Sequence, residues 1–177
     1  MNVGVFGSSI PAEGEATYEQ GREIGRLVAR RGGRVVCGGY GGVMEAVCRG
    51  AAEAGGSSLG VILEAHPAAN RFVTRVSPEK DSASRLKRLR DASDAWIFLP
   101  RGLGTMLELV FMAESVVKGV TSPRPFVLLG DFWRATVEKA IAEASRLTGA
   151  QALRSRFSVC VTPEEAVEKA FAVDSRV

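Results

Sequence analysis

Short apolar runs that do not alternate with polar residues recur along this chain, and each is followed by a helical pattern. They are Val3–Phe6, Val35–Cys37, Leu59–Leu63, Ala95–Leu99, Pro125–Leu129 and Ser158–Val161. A strand with one wet face alternates apolar and polar residues, whereas a strand covered on both faces does not. Strands of the second kind, separated by helices, predict an α/β fold: a Rossmann-like, doubly wound parallel sheet in three layers. The helices are expected over Thr17–Arg31, Val43–Ala54, Asp81–Ala92, Thr105–Lys118 and Phe132–Leu147. Gly32-Gly33 and Gly55-Gly56 stop the first two. A last helix starts at Thr162-Pro163-Glu164-Glu165, which supplies an N-cap, a proline at the first helical position and a capping-box glutamate. It ends near Phe171, and the tail beyond is expected to fray. Glu64–Lys80 has no clear period and carries Pro67 and Pro78, so a long loop is predicted there, with a short extra strand near Phe72-Val73. No repeat, low-complexity tract or linker interrupts the 177 residues, which predicts one domain over 1–177.

Composition narrows the class. The apolar share is 46% and no run approaches a membrane span of roughly 20 residues, so a soluble globular chain is expected. The strand-like start at Val3 leaves no room for a signal peptide. Cys37, Cys48 and Cys160 show no metal-ligand spacing and suit reduced thiols in the cytoplasm. His66 is the one histidine, which argues against His-based metal chemistry and most Ser-His-Asp arrangements. Neither a metal nor a cofactor is expected. The net charge of +3 is modest, and part of it sits in Arg85, Lys87, Arg88 and Arg90. That run is either a solvated helix face or an anion site. No aromatics interleave with it, so nucleic acid is not expected as a partner.

In a doubly wound sheet all strand-to-helix loops leave at one edge, where ligands bind. Gly or Ser clusters occupy three of these loops: Gly7-Ser8-Ser9, Gly38-Gly39-Tyr40-Gly41-Gly42 and Gly102-Leu103-Gly104-Thr105. One such turn is only a turn, but three on one edge point to a phosphorylated ligand. The G-x-G-x-x-G fingerprint of dinucleotide sites is absent, as is the P-loop motif, so a mononucleotide or sugar phosphate fits better. Glu108 lies just after the third loop and Glu45 just after the second. Each is either a complement to the helix dipole or a working carboxylate. Leu107 and Leu109 flank Glu108 and suggest a partly buried side chain. Arg85 borders the buried stripe of its helix through Leu89, Arg88 and Arg90 look solvent-facing, and Trp96 and Trp133 suit the core or an interface.

Pro100-Arg101-Gly102-Leu103-Gly104-Thr105-Met106-Leu107-Glu108 resembles the P-G-G-x-G-T-x-x-E motif of the LOG family, the cytokinin riboside 5′-monophosphate phosphoribohydrolases. Cys37-Gly38-Gly39-Tyr40-Gly41-Gly42-Val43-Met44 resembles that family's G-G-G-x-x-G-x-M element, and Val5-Phe6-Gly7-Ser8-Ser9 its V-F-C-G-S opening. The resemblance covers Val3 to about Trp133. It implies hydrolysis of the N-glycosidic bond of a purine nucleoside 5′-monophosphate, AMP or an N6-modified relative, to free base and ribose 5-phosphate. It assigns catalysis to Arg85 and Glu108. It assigns the phosphate and nucleotide to Ser8, Ser9, Gly38, Gly39, Gly41, Gly42, Met44, Glu45, Pro100, Arg101, Gly102, Leu103, Gly104 and Thr105. It also implies a homodimer or higher homo-oligomer. The older "lysine decarboxylase" label of bacterial members finds no marked Schiff-base lysine here. Arg101 and Cys37 replace motif glycines, Leu86 replaces a lysine, and Gly7 replaces a cysteine. The alternative is a non-catalytic nucleotide or molybdenum-cofactor carrier of the same fold.

Overall fold

The computed structural model describes residues 1–148 and 151–172. Its centre is one sheet of seven parallel strands: β1 (Asn2–Phe6), β2 (Arg34–Cys37), β3 (Ser57–Leu63), β4 (Arg75–Glu79), β5 (Ala95–Phe98), β6 (Phe126–Leu129) and β7 (Phe157–Cys160). Their spatial order is β4-β3-β2-β1-β5-β6-β7. The chain builds outward from β1 to β4, then crosses back over the sheet and starts again on the other side of β1. The order therefore reverses between β1 and β5, and a crevice opens at such a reversal. Val3 pairs with Ala95 and Phe6 with Phe98, so these two strands end level and release their loops side by side.

Helices cover both faces. α1 (Ala16–Arg30), α2 (Val43–Glu53) and the last helix, α7 (Pro163–Phe171), bury Ile24, Val28, Val47 and Val167 against Val3, Val5 and Val35. On the other face, α3 (Ser82–Asp91), α4 (Leu103–Val117) and the Trp133 region bury Leu89, Leu109, Met112 and Trp133 against Phe6, Phe98 and Phe126. Successive strand residues serve opposite faces, and both faces are dry, which is why the runs are continuously apolar. Phe6, Phe98, Phe126 and Phe157 stack across four strands with centroids 5.0, 5.2 and 5.3 Å apart. Trp133 donates its indole N–H to the Phe98 carbonyl at 3.1 Å, so both tryptophans, buried as expected, belong to the core.

Several expectations need correction. The extra strand is Arg75–Glu79, not Phe72-Val73. It is an edge strand, so only one side is paired and its sequence stays polar; an edge also tolerates Pro78. Phe72 and Val73 instead pack on the core from the preceding loop. α4 starts at Leu103, two residues before the expected Thr105. The Phe132–Leu147 pattern is divided into a π-helical turn, Arg134–Glu138, and α5 (Lys139–Thr148); a short α6 (Gln151–Arg154) follows. Arg90 is buried, not solvent-facing, and is held by Asp91 at 2.8 Å and Ser115 at 3.3 Å. Thr162 caps α7 as expected, accepting from the Glu165 N–H at 3.2 Å. The tail expected to fray lies, from residue 173 on, outside the described residues. No helix among the described residues is long and apolar enough to cross a membrane.

Candidate active site

A cleft of about 350 Å³ opens at the reversal between β1 and β5. Its floor is the start of α4. Gly102 is the N-cap, at φ 99°, and no side chain caps the helix. The first N–H groups of a helix have no partner within it, so this end presents unsatisfied donors. Thr105, in the first turn, is 2% exposed, and its hydroxyl has no hydrogen-bond partner. A buried polar atom left unpaired costs about 1–3 kcal/mol, which a ligand oxygen would recover. Gly104 lies between these donors. A Cβ there would meet no protein atom within 4 Å, so nothing in the fold demands glycine at this point; the vacancy belongs to the cleft.

One wall comes from the loop after β1. Ser8 and Ser9 line the cleft, and the Ser8 hydroxyl accepts from the Ile10 N–H at 3.2 Å. The Ser8 carbonyl accepts from the Val43 N–H at 2.9 Å, which ties this loop to the first residue of α2. The opposite wall carries Arg85. Asp81 caps α3 through a reciprocal pair with Ser84 at 2.8 and 3.2 Å, which fixes where the helix starts and hence where Arg85 points. The Arg85 guanidinium donates from Nε to the Val61 carbonyl at 2.7 Å and from Nη2 to the Gly38 carbonyl at 3.2 Å. It lies 5.5 Å from the Tyr40 ring centroid. A Cβ at Gly38 would displace the ends of the Arg85 and Met44 side chains, so glycine here lets the guanidinium lie against the loop. Tyr40 is itself fixed, accepting from Leu63 N–H at 2.9 Å and donating to the His66 carbonyl at 3.1 Å.

Glu108 stands one turn further along α4, 9% exposed, in the same cleft. Burial pushes its carboxyl up to about 7 from an ordinary 4.5, against the positive charge of Arg85, which pulls it down. A carboxyl that titrates near neutrality in a cleft is suited to proton transfer or to stabilising a cation.

The cleft thus gathers Ser8, Ser9, Met44, Arg85, Gly102, Leu103, Gly104, Thr105 and Glu108 from separate parts of the sequence. Gly38, Gly39, Gly41, Gly42, Pro100 and Arg101 do not line it; they belong to the turns that lead into its walls, and Arg101 is exposed. Glu45 also stands apart and accepts from the Tyr18 hydroxyl at 3.2 Å, joining α1 to α2. Gly7, Ile10 and Tyr40 also line the cleft, although the resemblance assigns none of them to the site. Tyr40 is the one aromatic within a glycine-rich loop, which was the available signal. Cys37, in a motif-glycine position, lies buried with its sulfur 3.4 Å from that of Cys48. The hydrogen bond to Cys48 and burial hold the Cys37 thiol well above its ordinary range, so it stays protonated. No group of three or more metal-ligating side chains exists among the described residues.

Sheet order and cleft define a doubly wound α/β protein with an uncapped helix end and a buried carboxyl at its switch point. The chain belongs to the LOG-like SLOG cluster4 family, whose profile matches residues 1–153. It is 30% identical over 173 residues to a cytokinin riboside 5′-monophosphate phosphoribohydrolase of Rhodococcoides fascians, covering 94% of this chain and 87% of that protein. A second protein of that name, from Mycobacterium tuberculosis, is 35% identical over 116 residues, 60% of this chain and 59% of its own length. Among solved structures, the molybdenum cofactor binding protein of Rippkaea orientalis superposes with a TM-score of 0.74 at 22% identity, covering 94% of this chain and 93% of its own. At that identity the likeness is one of fold.

Proposed function

We propose that this protein hydrolyses the N-glycosidic bond of a purine nucleoside 5′-monophosphate to free base and ribose 5-phosphate. The observation that carries this reading is the buried carboxyl of Glu108, one turn beyond an uncapped helix N-terminus and in one cleft with Arg85. A phosphate at Gly102–Thr105 takes the helix N–H groups and the Thr105 hydroxyl, and the ribose then reaches Glu108. As the bond from C1′ to the base nitrogen breaks, positive charge grows on the ribose and water oxygen bonds to C1′. A carboxylate fixed nearby in a dry site is worth far more to that cation than one in water. The water gives up one proton as its oxygen bonds to C1′, and the departing base nitrogen takes one up, so the step balances as the addition of water across the broken bond. Arg85 already spends Nε and Nη2 on carbonyls, which fixes its plane and leaves Nη1 for the ligand.

The name shared by the two sequence relatives supports the same reaction. The competing reading, carriage of molybdenum cofactor, rests on the names of structural neighbours from Rippkaea orientalis and Chlamydomonas reinhardtii. The placement of the buried Glu108 carboxyl in one cleft with Arg85 supports hydrolysis over carriage. The test is a panel of nucleoside monophosphates assayed for free base by chromatography, with Glu108→Ala and Arg85→Ala expected to abolish release. Protein that frees no base from any purine monophosphate refutes the reading, and a pterin phosphate released from native protein would favour carriage.

We further infer that two copies pair through α4. Leu103, Leu107 and Val110 are 91%, 55% and 56% exposed along one side of that helix. An apolar groove of about 360 Å³, lined by Met106, Val110 and Val137 among others, runs beside them.

A further inference from the structure

Arg101 is the one non-glycine residue with a positive φ among those described, at 74°. The left-handed region crowds the Cβ of an L-residue, so the backbone disfavours arginine at this point. Electrostatics disfavours it too. Arg101 immediately precedes the N-cap of α4, where the helix end is positive and repels a cation. Its side chain is exposed and makes no hydrogen bond, ion pair or ring contact with any described residue. Nothing among the described residues offsets these two penalties. An anion at the helix end would offset the second directly, and a separate observation points to one: the buried, unpartnered Thr105 hydroxyl in the same first turn.

The charge inventory of the cleft agrees. Its charged lining residues are Arg85 and Glu108 alone, and Arg85 is turned toward the Val61 and Gly38 carbonyls on the far wall. The donors at the helix end are neutral N–H and hydroxyl groups. A phosphomonoester dianion held by them keeps charge on the oxygens that face solvent. Arg101 does not line the cleft, and an arginine one residue from the N-cap is long enough to reach those outward oxygens from outside the rim.

We propose that Arg101 is an external clamp on the phosphate, which selects a terminal phosphomonoester dianion over uncharged or singly charged ligands. This rests on the reading of the cleft as a phosphate-ester site. The strain at φ 74° is then retained for binding and contributes nothing to folding.

The test uses ribose 5-phosphate, which carries the dianion and has no base to lose, with ribose as the uncharged control. Calorimetric titration of the wild type, Arg101→Gly and Arg101→Lys is paired with thermal melts of the unliganded proteins. Arg101→Gly is expected to melt at the wild-type temperature or above it, and to bind ribose 5-phosphate about tenfold or more weakly. Arg101→Lys should recover part of that affinity. A residue with only a structural role would move melting and binding in the same direction. Equal affinity in Arg101→Gly and the wild type overturns the clamp while leaving the phosphate site intact. A wild type that does not bind ribose 5-phosphate overturns the phosphate-ester reading, and the clamp with it.

Discussion

Replacing Glu108 by glutamine should stabilise the protein at alkaline pH and leave it unchanged in acid. The carboxyl holds its proton up to about 7 when folded and to about 4.5 when exposed in the unfolded chain. Below 4.5 both states are protonated and burial of the group carries no ionic cost. Between the two values the unfolded chain has lost the proton and the folded chain keeps it, so stability falls as pH rises. Above 7 the whole cost is present: the interval from 4.5 to about 7, at about 1.4 kcal/mol per pH unit, comes to about 3 kcal/mol. Glutamine has the same shape and no charge at any pH. For a chain of this size 1 kcal/mol moves the melting temperature by about 2–4 °C, so Glu108→Gln should gain about 6–12 °C at pH 8.5 and almost nothing at pH 4.5. Melts must be run in phosphate-free buffer, because a ligand of the folded state would mask the effect. A gain that is the same at both pH values, or a loss at pH 8.5, would refute the argument that an ionised carboxylate is being held in a dry cleft. Base release should vanish in the same variant, because the neutral amide cannot stabilise the cation.

Other substitutions separate folding from binding. Gly104→Ala puts a methyl group where no protein atom lies within 4 Å and replaces the poorer helix former, so melting should rise while AMP binding drops steeply; undiminished binding in a titration would place the ligand elsewhere. Arg85→Ala removes the charge that pulls Glu108 down, so the decline in stability should still begin near 4.5 but extend to higher pH before it levels off, an extension that pH-dependent melts detect and an unchanged profile excludes. Arg85→Lys keeps that charge but cannot span the Val61 and Gly38 carbonyls, and its kcat/KM should fall at least tenfold with the profile nearly unmoved. Leu107→Glu should shift the mass in light scattering to that of one chain, and an unaltered mass would remove α4 from the interface.

The sheet was legible because its strands are dry on both faces and therefore announce themselves as apolar runs. β4 was not, because an edge strand is half-paired and its polar residues look like loop. Arg90 misled for a related reason: a guanidinium is buried when Asp91 and Ser115 satisfy it, and Ser115 lies on a different helix. The three glycine-rich loops were visible one by one, and the parallel topology required them to share an edge. What sequence could not supply was distance, such as Glu45 turning to Tyr18 while Glu108 enters the cleft, although both follow a glycine loop in the same way.

α4 carries the most telling disagreement between pattern and position. Its inward side is Thr105, Glu108, Leu109, Met112, Ser115 and Val116, and its outward side begins with Leu103, Leu107 and Val110. A helix shaped by stability alone puts leucine inside and glutamate outside. Here the first two turns are inverted, with a threonine hydroxyl and a carboxyl under the surface and leucines above it. The flanking leucines were a poor guide to Glu108, since Leu107 is mostly exposed and only Leu109 is buried. The burial of Glu108 follows from the helical period, which puts residues three and four apart on one side. Inversion of this kind destabilises the isolated chain twice, through the raised Glu108 carboxyl and through wet leucines. Under the function and pairing proposed above, both penalties are relieved: by a cationic, phosphate-bearing ligand state on the inner side and by a second copy of α4 on the outer. Local rules broken together on one helix, at the one switch point of the sheet, are what a site imposes on a fold.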